Sequence, residues 1–238
     1  MHDCRIDRAG FMRGSLAALT LAGISGLPEV VRAANSGSPE MTPDAALARL
    51  MAGNAKFVAG SLQPSEALVE RRADVANGQR PFAMVLTCAD SRLPPEHIFH
   101  ETVGDLFVCR VAGNILEPGA LGSFEYAIAM IGSPAVLMVL GHEHCGAVKD
   151  SIALTKAQQK APGDIAVIVD AIAPVIAATP QGSMSDAAYV QAVMIANAKH
   201  VAHEIATRSE IVEKAIAAHQ LKVVAARYAL DSGKVTLI

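Results

Sequence analysis

Tryptophan is absent from the 238 residues, and aromatic side chains together make up only 4% of them. The chain thereby lacks one usual anchor for sugars and for protein interfaces. Charge of one sign is also scarce, with 20 basic and 23 acidic residues leaving a net −3. That balance excludes a basic footprint for nucleic acid. No apolar run is long enough to span a membrane. Neither an internal repeat nor a low-complexity block occurs. Cysteine is rare, four in all. Cys4 falls in a segment expected to be removed, which leaves Cys88, Cys109 and Cys145. Three thiols make a poor disulfide framework. The rest, 52% hydrophobic and 18% charged, is an ordinary globular composition with enough apolar mass for one good core.

Residues 1–33 read as an export signal. Arg5, Arg8 and Arg13 make a positive start, and Leu16 to Leu27 is an apolar stretch rich in Ala, Leu and Gly. Val31-Arg-Ala33 offers a cleavage pattern after Ala33. Arg8-Ala-Gly-Phe-Met-Arg13 is similar to a twin-arginine signal, except that Ala9 replaces the second arginine. The route is thus open while export is expected. The competing reading is an amphipathic helix that stays on the chain. Residues 34–238 are expected to form a single domain in the periplasm. An oxidising compartment endangers free thiols, and metal coordination would protect Cys88 and Cys145.

The chemistry concentrates at two strand ends. Phe82 to Leu86 is an apolar run that ends in Cys88-Ala-Asp90-Ser91-Arg92, and Ala135 to Leu140 ends in Gly141-His142-Glu-His144-Cys145-Gly146. Short apolar runs of this kind read as buried strands. Open α/β sheets bind ligands beyond the carboxyl ends of their strands. Two adjacent ends could bring Cys88, His142 and Cys145 together. Two thiolates and an imidazole suit zinc, and three protein ligands leave a fourth position open, as in catalytic sites. A structural zinc would need a fourth protein ligand, and Asp90 is the only one within the motifs. Arg92 competes for that carboxylate, since a guanidinium takes it bidentately.

These motifs resemble the β-class carbonic anhydrases. The family pattern is C-x-D-S-R followed, roughly fifty residues on, by H-x-x-C, and both halves are present here. Gly104 to Asn114 and Gly122 to Ala127 also resemble the family, and the match runs from about Pro81 to Lys149 with a weaker tail to Ile238. The resemblance implies zinc-dependent reversible hydration of carbon dioxide to bicarbonate. It implies Cys88, His142 and Cys145 as ligands, with Asp90 and Arg92 as catalytic residues. Asp90 accepts a hydrogen bond from the nucleophile and Arg92 keeps it ionised. In some relatives the matching Asp can itself close on zinc as a fourth ligand. Gln79 stands where plant-like members carry a substrate-contacting Gln, and Gly146 would let backbone approach the metal. An apolar slot near Ala112-Gly113-Asn114 would hold the substrate, with Phe82, Phe107 and Tyr126 as available aromatics. His97, His100 and His144 are the histidines near enough in sequence to pass a proton, although a surface or capping role is the stronger reading for each and buffer could do the job instead. Cys109 reads as a buried small hydrophobe.

The resemblance further implies an obligate homodimer or a dimer of dimers, with a helical arm packed on the partner. Some bacterial members carry a regulatory bicarbonate site containing Trp, and without Trp that site is expected to be absent. Two rivals accompany the hydration reading. Relatives on this scaffold hydrolyse carbonyl sulfide or carbon disulfide. Alternatively the chain could bind zinc or bicarbonate without turnover, which a broken Asp90–Arg92 pair would signal.

The predicted fold is α/β. Four parallel strands are expected, at Phe82 to Leu86, Leu106 to Val111, Ala135 to Leu140 and Leu221 to Leu230, with an antiparallel edge strand at Lys234 to Ile238. Helices are expected on both faces of this central, mostly parallel sheet, with an N-terminal helical arm. Thr42, Pro43 and Asp44 are placed to cap and start that arm, which should run to Val58 and stop at Gly60. Further helices should follow Leu93-Pro-Pro-Glu96, span Pro118 to about Gly132, occupy most of 156–183, run from Ser185 to Thr207, and start at Ser209. His142 and Cys145 are expected to share one face of the helix opened by their turn.

Overall fold

Five short apolar stretches pair into one sheet in a computed structural model that describes residues 41–61, 65–132 and 134–238. The expected export segment, 1–33, and Cys4 lie outside the described residues. Strands β1 (Ala83–Thr87), β2 (Leu106–Arg110), β3 (Val136–His142), β4 (Lys222–Tyr228) and β5 (Val235–Leu237) lie in the order β2-β1-β3-β4-β5. The first four are parallel and β5 runs antiparallel to β4. This is the mostly parallel sheet with an antiparallel edge that the sequence implied. Helices α1 (Pro43–Val58), α2 (Ser65–Asp74), α3 (Pro95–Ile98), α4 (Pro118–Tyr126), α5 (Gly146–Ala157), α6 (Ile165–Ala178), α7 (Asp186–Arg208) and α8 (Glu210–Ala217) fill the connections.

β1 and β3 are buried along their full length. They read as continuous apolar runs because both faces of a parallel sheet are covered. The strand period of two still sorts their side chains. Val85, Met138 and Leu140 join one apolar layer, together with Leu50 of α1 and Ile172 of α6. Met84, Leu86, Leu137 and Val139 join the other, with Phe124 of α4, Ile205 of α7 and Val212 of α8.

Helix ends follow local chemistry. The side chains of Thr42, Ser185 and Ser209 accept from the N–H groups of Ala45, Ala188 and Val212, each at 3.3 Å. These bonds satisfy donors that a helix start leaves open. α1 ends at Val58 as the sequence predicted, and Gly60 follows with φ +71°. The Pro118 helix reaches Gly132 through a wider π turn, Ala127–Ile131.

The arm is more firmly docked than expected. Ala46 and Leu50 of α1 are fully buried within this same chain. Gly53 lets the helix meet the loop after α3, where a Cβ would lie 1.7 Å from the Phe99 carbonyl oxygen. Buried Asn54 donates to Ile98 O at 3.1 Å and Gly233 O at 2.8 Å, and accepts from Val235 N–H at 2.8 Å. One side chain thus ties α1 to both α3 and the edge strand.

Strand order places the site. β1 has β2 on one side and β3 on the other. The chain leaves β1 toward one edge and later returns across it, so the β1 and β3 carboxyl ends flank a topological switch point, where such sheets bind ligands. Thr87 is in register with Leu140.

Candidate metal centre

Cys88 follows β1 by one residue, and His142 is the last residue of β3. The Thr87 hydroxyl donates to Leu140 O at 3.0 Å, which locks the two strand ends together. His142 is therefore not on the following helix, contrary to expectation. The chain turns through His144, at φ +52°, and Cys145 becomes the N-cap of α5. The i, i+3 spacing works across a strand–turn–helix corner instead of along a helix face.

The ligand atoms of Cys88, His142 and Cys145 all lie within 4.8 Å of one another, and all three residues are buried. They are the one such group among the described residues. His142 Nδ1 lies 2.8 Å from the Glu143 carbonyl. A carbonyl only accepts, so Nδ1 carries the proton and Nε2 presents its lone pair. That Nε2 is buried and has no partner among the described residues. An orphaned acceptor facing two sulfurs fits a metal, and the S₂N donor set fits zinc.

Backbone dipoles support the sulfurs. Cys88 Sγ accepts from Gly113 N–H at 3.3 Å. Cys145 is met by the N–H groups of Ala147 and Val148 at the start of α5, where a helix favours negative charge. Without metal the two sulfurs form a coupled pair. Their mutual hydrogen bond pulls the Cys88 thiol down and pushes Cys145 up, and burial adds to the rise at Cys145. Zinc would replace that shared proton.

Asp90 is held from outside. It accepts from Arg92 N at 2.9 Å, Nε at 2.8 Å and Nη2 at 2.6 Å. The Arg92 hydrogen bond keeps the carboxyl well below the usual carboxylate range. Asp90 Oδ2 is nevertheless only 4.0 Å from His142 Nε2. The pair expected from the sequence is intact, and the carboxylate borders the ligand cluster without belonging to it.

Sequence reasoning missed Arg110 and Asn197 as parts of this site, and placed Gly113 at the substrate slot without its contact to Cys88. Arg110 donates through Nη2 to Asp90 O at 2.6 Å and through Nε to Cys88 O at 3.3 Å, clamping the motif loop from β2. Its register with Thr87 is the signal that could have revealed it. Asn197 Nδ2 donates to Gly113 O at 2.9 Å. Nothing in the local sequence around Asn197 marks that role.

Other expected residues are not among the ligands, although His144 and Gly146 flank Cys145. Gly146 is the first residue of α5, with a Cβ position that meets no atom within 4 Å, so the chain itself does not demand glycine there. It borders a cleft of about 800 Å³ with His144, Lys149 and Tyr189. Gln79 is exposed in the loop before β1, at the opposite end of that strand from Cys88. Phe82 is buried under Arg49, whose guanidinium lies 3.9 Å from the ring centroid. Phe107 packs on the layer of α4 and α8, while Tyr126 is 55% exposed. His97 and His144 are exposed, and His100 sits at φ +52° with Nε2 buried and unpartnered among the described residues. Cys109 is half-buried on β2, where burial raises its thiol, and it lies outside the cluster.

Comparison with known proteins agrees with this geometry. Residues 83–235 match the carbonic anhydrase family model. Carbonic anhydrase 2 of Mycobacterium tuberculosis is 35% identical over 202 residues, covering 84% of this chain and 94% of the relative. The structure of a Coccomyxa β-carbonic anhydrase in complex with acetazolamide aligns with a TM-score of 0.66 at 24% identity, covering 81% of this chain and 86% of that one. Tetrameric β-carbonic anhydrases from Sordaria macrospora include a chain aligning with a TM-score of 0.64 at 19% identity, covering 81% and 96%. The sheet, the buried Cys–His–Cys cluster and the sequence match agree, and this chain belongs to the β-class carbonic anhydrases.

Proposed function

We propose that the chain catalyses the reversible hydration of carbon dioxide to bicarbonate at a zinc ion held by Cys88, His142 and Cys145. The observation that carries this is the buried S₂N cluster with an orphaned His142 Nε2, bordered by an Asp90 that Arg92 keeps ionised. When bound, zinc supplies Lewis acidity that brings the pKa of water toward about 7. The protein's share is positional. Asp90 accepts a hydrogen bond from the attacking water and orients its lone pair. Arg92 holds Asp90 away from the ligand position. Gly113 N–H and the start of α5 offset the charge of two thiolates. The intact Asp90–Arg92 pair speaks against a zinc-binding protein without turnover. Stopped-flow hydration of carbon dioxide by the purified chain, with metal analysis, tests the assignment. Absence of turnover at about one zinc per chain would reject it.

Gln79 joins this site only across a homodimer. Within one chain the five residues of β1 separate it from Cys88, roughly 16 Å at strand rise. A substrate contact by Gln79 must therefore be made in trans. The tetrameric assembly of the Sordaria relatives is consistent with subunit pairing. Gln79→Ala should lower kcat/KM about tenfold, the worth of one hydrogen bond. Co-expressing it with Cys88→Ser should then restore one complete site per mixed dimer. If mixed dimers are no better than the two parents, the contact in trans is wrong.

Export to the periplasm is supported by the Arg5–Arg13 start, the apolar Leu16–Leu27 stretch and the Val31-Arg-Ala33 pattern. The mature protein should begin near Ala34 and comprise one domain. N-terminal sequencing of a periplasmic extract checks this, and an intact Met1 on active cytoplasmic enzyme would contradict it. No helix among the described residues is long and apolar enough to cross a membrane.

A further inference from the structure

Helix α7 carries an amide in the middle of an apolar stripe. Val193, Met194, Ala198 and Val201 are buried around Asn197, which is itself 1% exposed. Burying an amide is costly unless its polar atoms find partners. Asn197 is only half satisfied. Its Nδ2 donates to Gly113 O at 2.9 Å, while Oδ1 has no partner among the described residues. Stability alone favours an apolar residue at this position, so the amide calls for another explanation.

Gly113 supplies one. Its φ of +71° lies in the left-handed region, and a Cβ there would come within 2.9 Å of Ile172 Cδ1 and 3.3 Å of Ala147 Cβ. In this conformation its N–H points at Cys88 Sγ, 3.3 Å away. One glycine therefore receives the α7 amide on its carbonyl and offers its N–H to the sulfur. Asn197 lies 84 positions from Gly113 and 109 from Cys88 in the chain, yet one residue links it to the ligand.

We propose that Asn197 is a positioning residue for the metal centre, fixing Gly113 so that its N–H stays on Cys88 Sγ and draws charge from that thiolate. This rests on Cys88 being a ligand of the proposed zinc site. Partners beyond the first ligands orient them and tune the metal. A thiolate that gives up less electron density leaves the metal a stronger Lewis acid, which a site with two thiolates needs.

Amide exchange by NMR on the full zinc-loaded chain reads the hydrogen bond directly. In the wild type the Gly113 N–H should be protected. Asn197→Leu, close in size and without the donor, should speed its exchange about tenfold, the worth of one hydrogen bond. In the cobalt-substituted protein the same variant should shift the sulfur-to-cobalt charge-transfer band to lower energy, because an unbonded thiolate releases an electron more readily. Metal content should stay near one per chain, and the melting temperature should fall by only a few degrees, since the buried Gly113 carbonyl loses its donor while a half-satisfied amide is removed. A merely structural role would lower the melting temperature in the same way but leave both the exchange and the band in place. If Asn197→Leu fails to fold, Asn197→Ser, too short to reach Gly113, takes its place. A folded variant with unchanged exchange and unchanged band overturns the proposal. So does an unprotected Gly113 N–H in the metal-loaded wild type, an outcome that needs no variant and leaves carbon dioxide hydration standing.

Discussion

Replacing Cys88 by Ser, or His142 by Ala, is expected to abolish zinc binding and turnover together. Cys88, His142 and Cys145 would be the only protein ligands of the ion, and a three-ligand site cannot spare one. The remaining pair of donors would be an imidazole with one thiolate, or two thiolates that revert to sharing a proton. Metal analysis should fall from about one zinc per chain toward none, and stopped-flow hydration should fall to the uncatalysed background. The fold should survive. The ligands sit at the ends of β1 and β3, while the core between those strands is built of Met84, Leu86, Leu137 and Met138, all fully buried and none of them among the ligands. Thermal unfolding of both variants should thus remain cooperative, unlike that of small domains that fold only around their zinc. Cys109→Ser is the internal control, since its thiol lies outside the cluster. It should keep both zinc and activity. A Cys88→Ser protein with full zinc and full turnover would overturn the ligand assignment.

Arg92→Ala is expected to cut turnover on the order of 100-fold, the upper range for loss of a partner behind a metal site, while zinc stays bound. The variant loses the Nε and Nη2 contacts and keeps only the backbone N–H on Asp90. Asp90 would still be ionised at neutral pH, because its ordinary value is about 3.9. Its Oδ2 already lies 4.0 Å from His142 Nε2. A free carboxylate at that range should swing in as a fourth ligand and exclude water. X-ray absorption of the zinc protein should then show an added oxygen from Asp90 at about 2.0 Å, absent from the wild type at pH 7. Such an oxygen in the wild type, or undiminished turnover in the variant, would defeat the latch. Arg92→Lys should recover only part of the rate, since an ammonium lacks the fork that holds both carboxylate oxygens.

The pH dependence follows from the sign of the Asp90 shift. Its carboxyl is held below the unfolded value, chiefly by the Arg92 hydrogen bond. The stabilising contribution of the pair is therefore fully present above about pH 4 and fades only as pH falls further. Loss of activity as pH falls below about 7, the pKa that zinc would give its water, should therefore occur with the Asp90–Arg92 pair still formed.

Most of the elements and the candidate ligands were legible along the chain, although helix α2 was not expected. Thr42, Ser185 and Ser209 announced their helices because a cap is a contact made within three residues. β1 and β3 were legible as uninterrupted apolar runs, since burial on both faces removes the need for alternation. Cys88, Asp90, Arg92, His142 and Cys145 were legible because each motif falls within a few residues of a strand end. Tertiary structure alone decided what surrounds them. The order β2-β1-β3-β4-β5 puts Cys88 beside the end of β3 and Gln79 at the far end of β1. It made His142 a strand residue, because the β3–β4 ladder continues through the pairing of His142 with Tyr228. Arg110 reaches the motif loop across 20 residues and Asn197 reaches Gly113 across 84. Such contacts leave no local periodicity or spacing to read. They exist only once the sheet and α7 have packed and brought distant polar atoms within hydrogen-bonding distance.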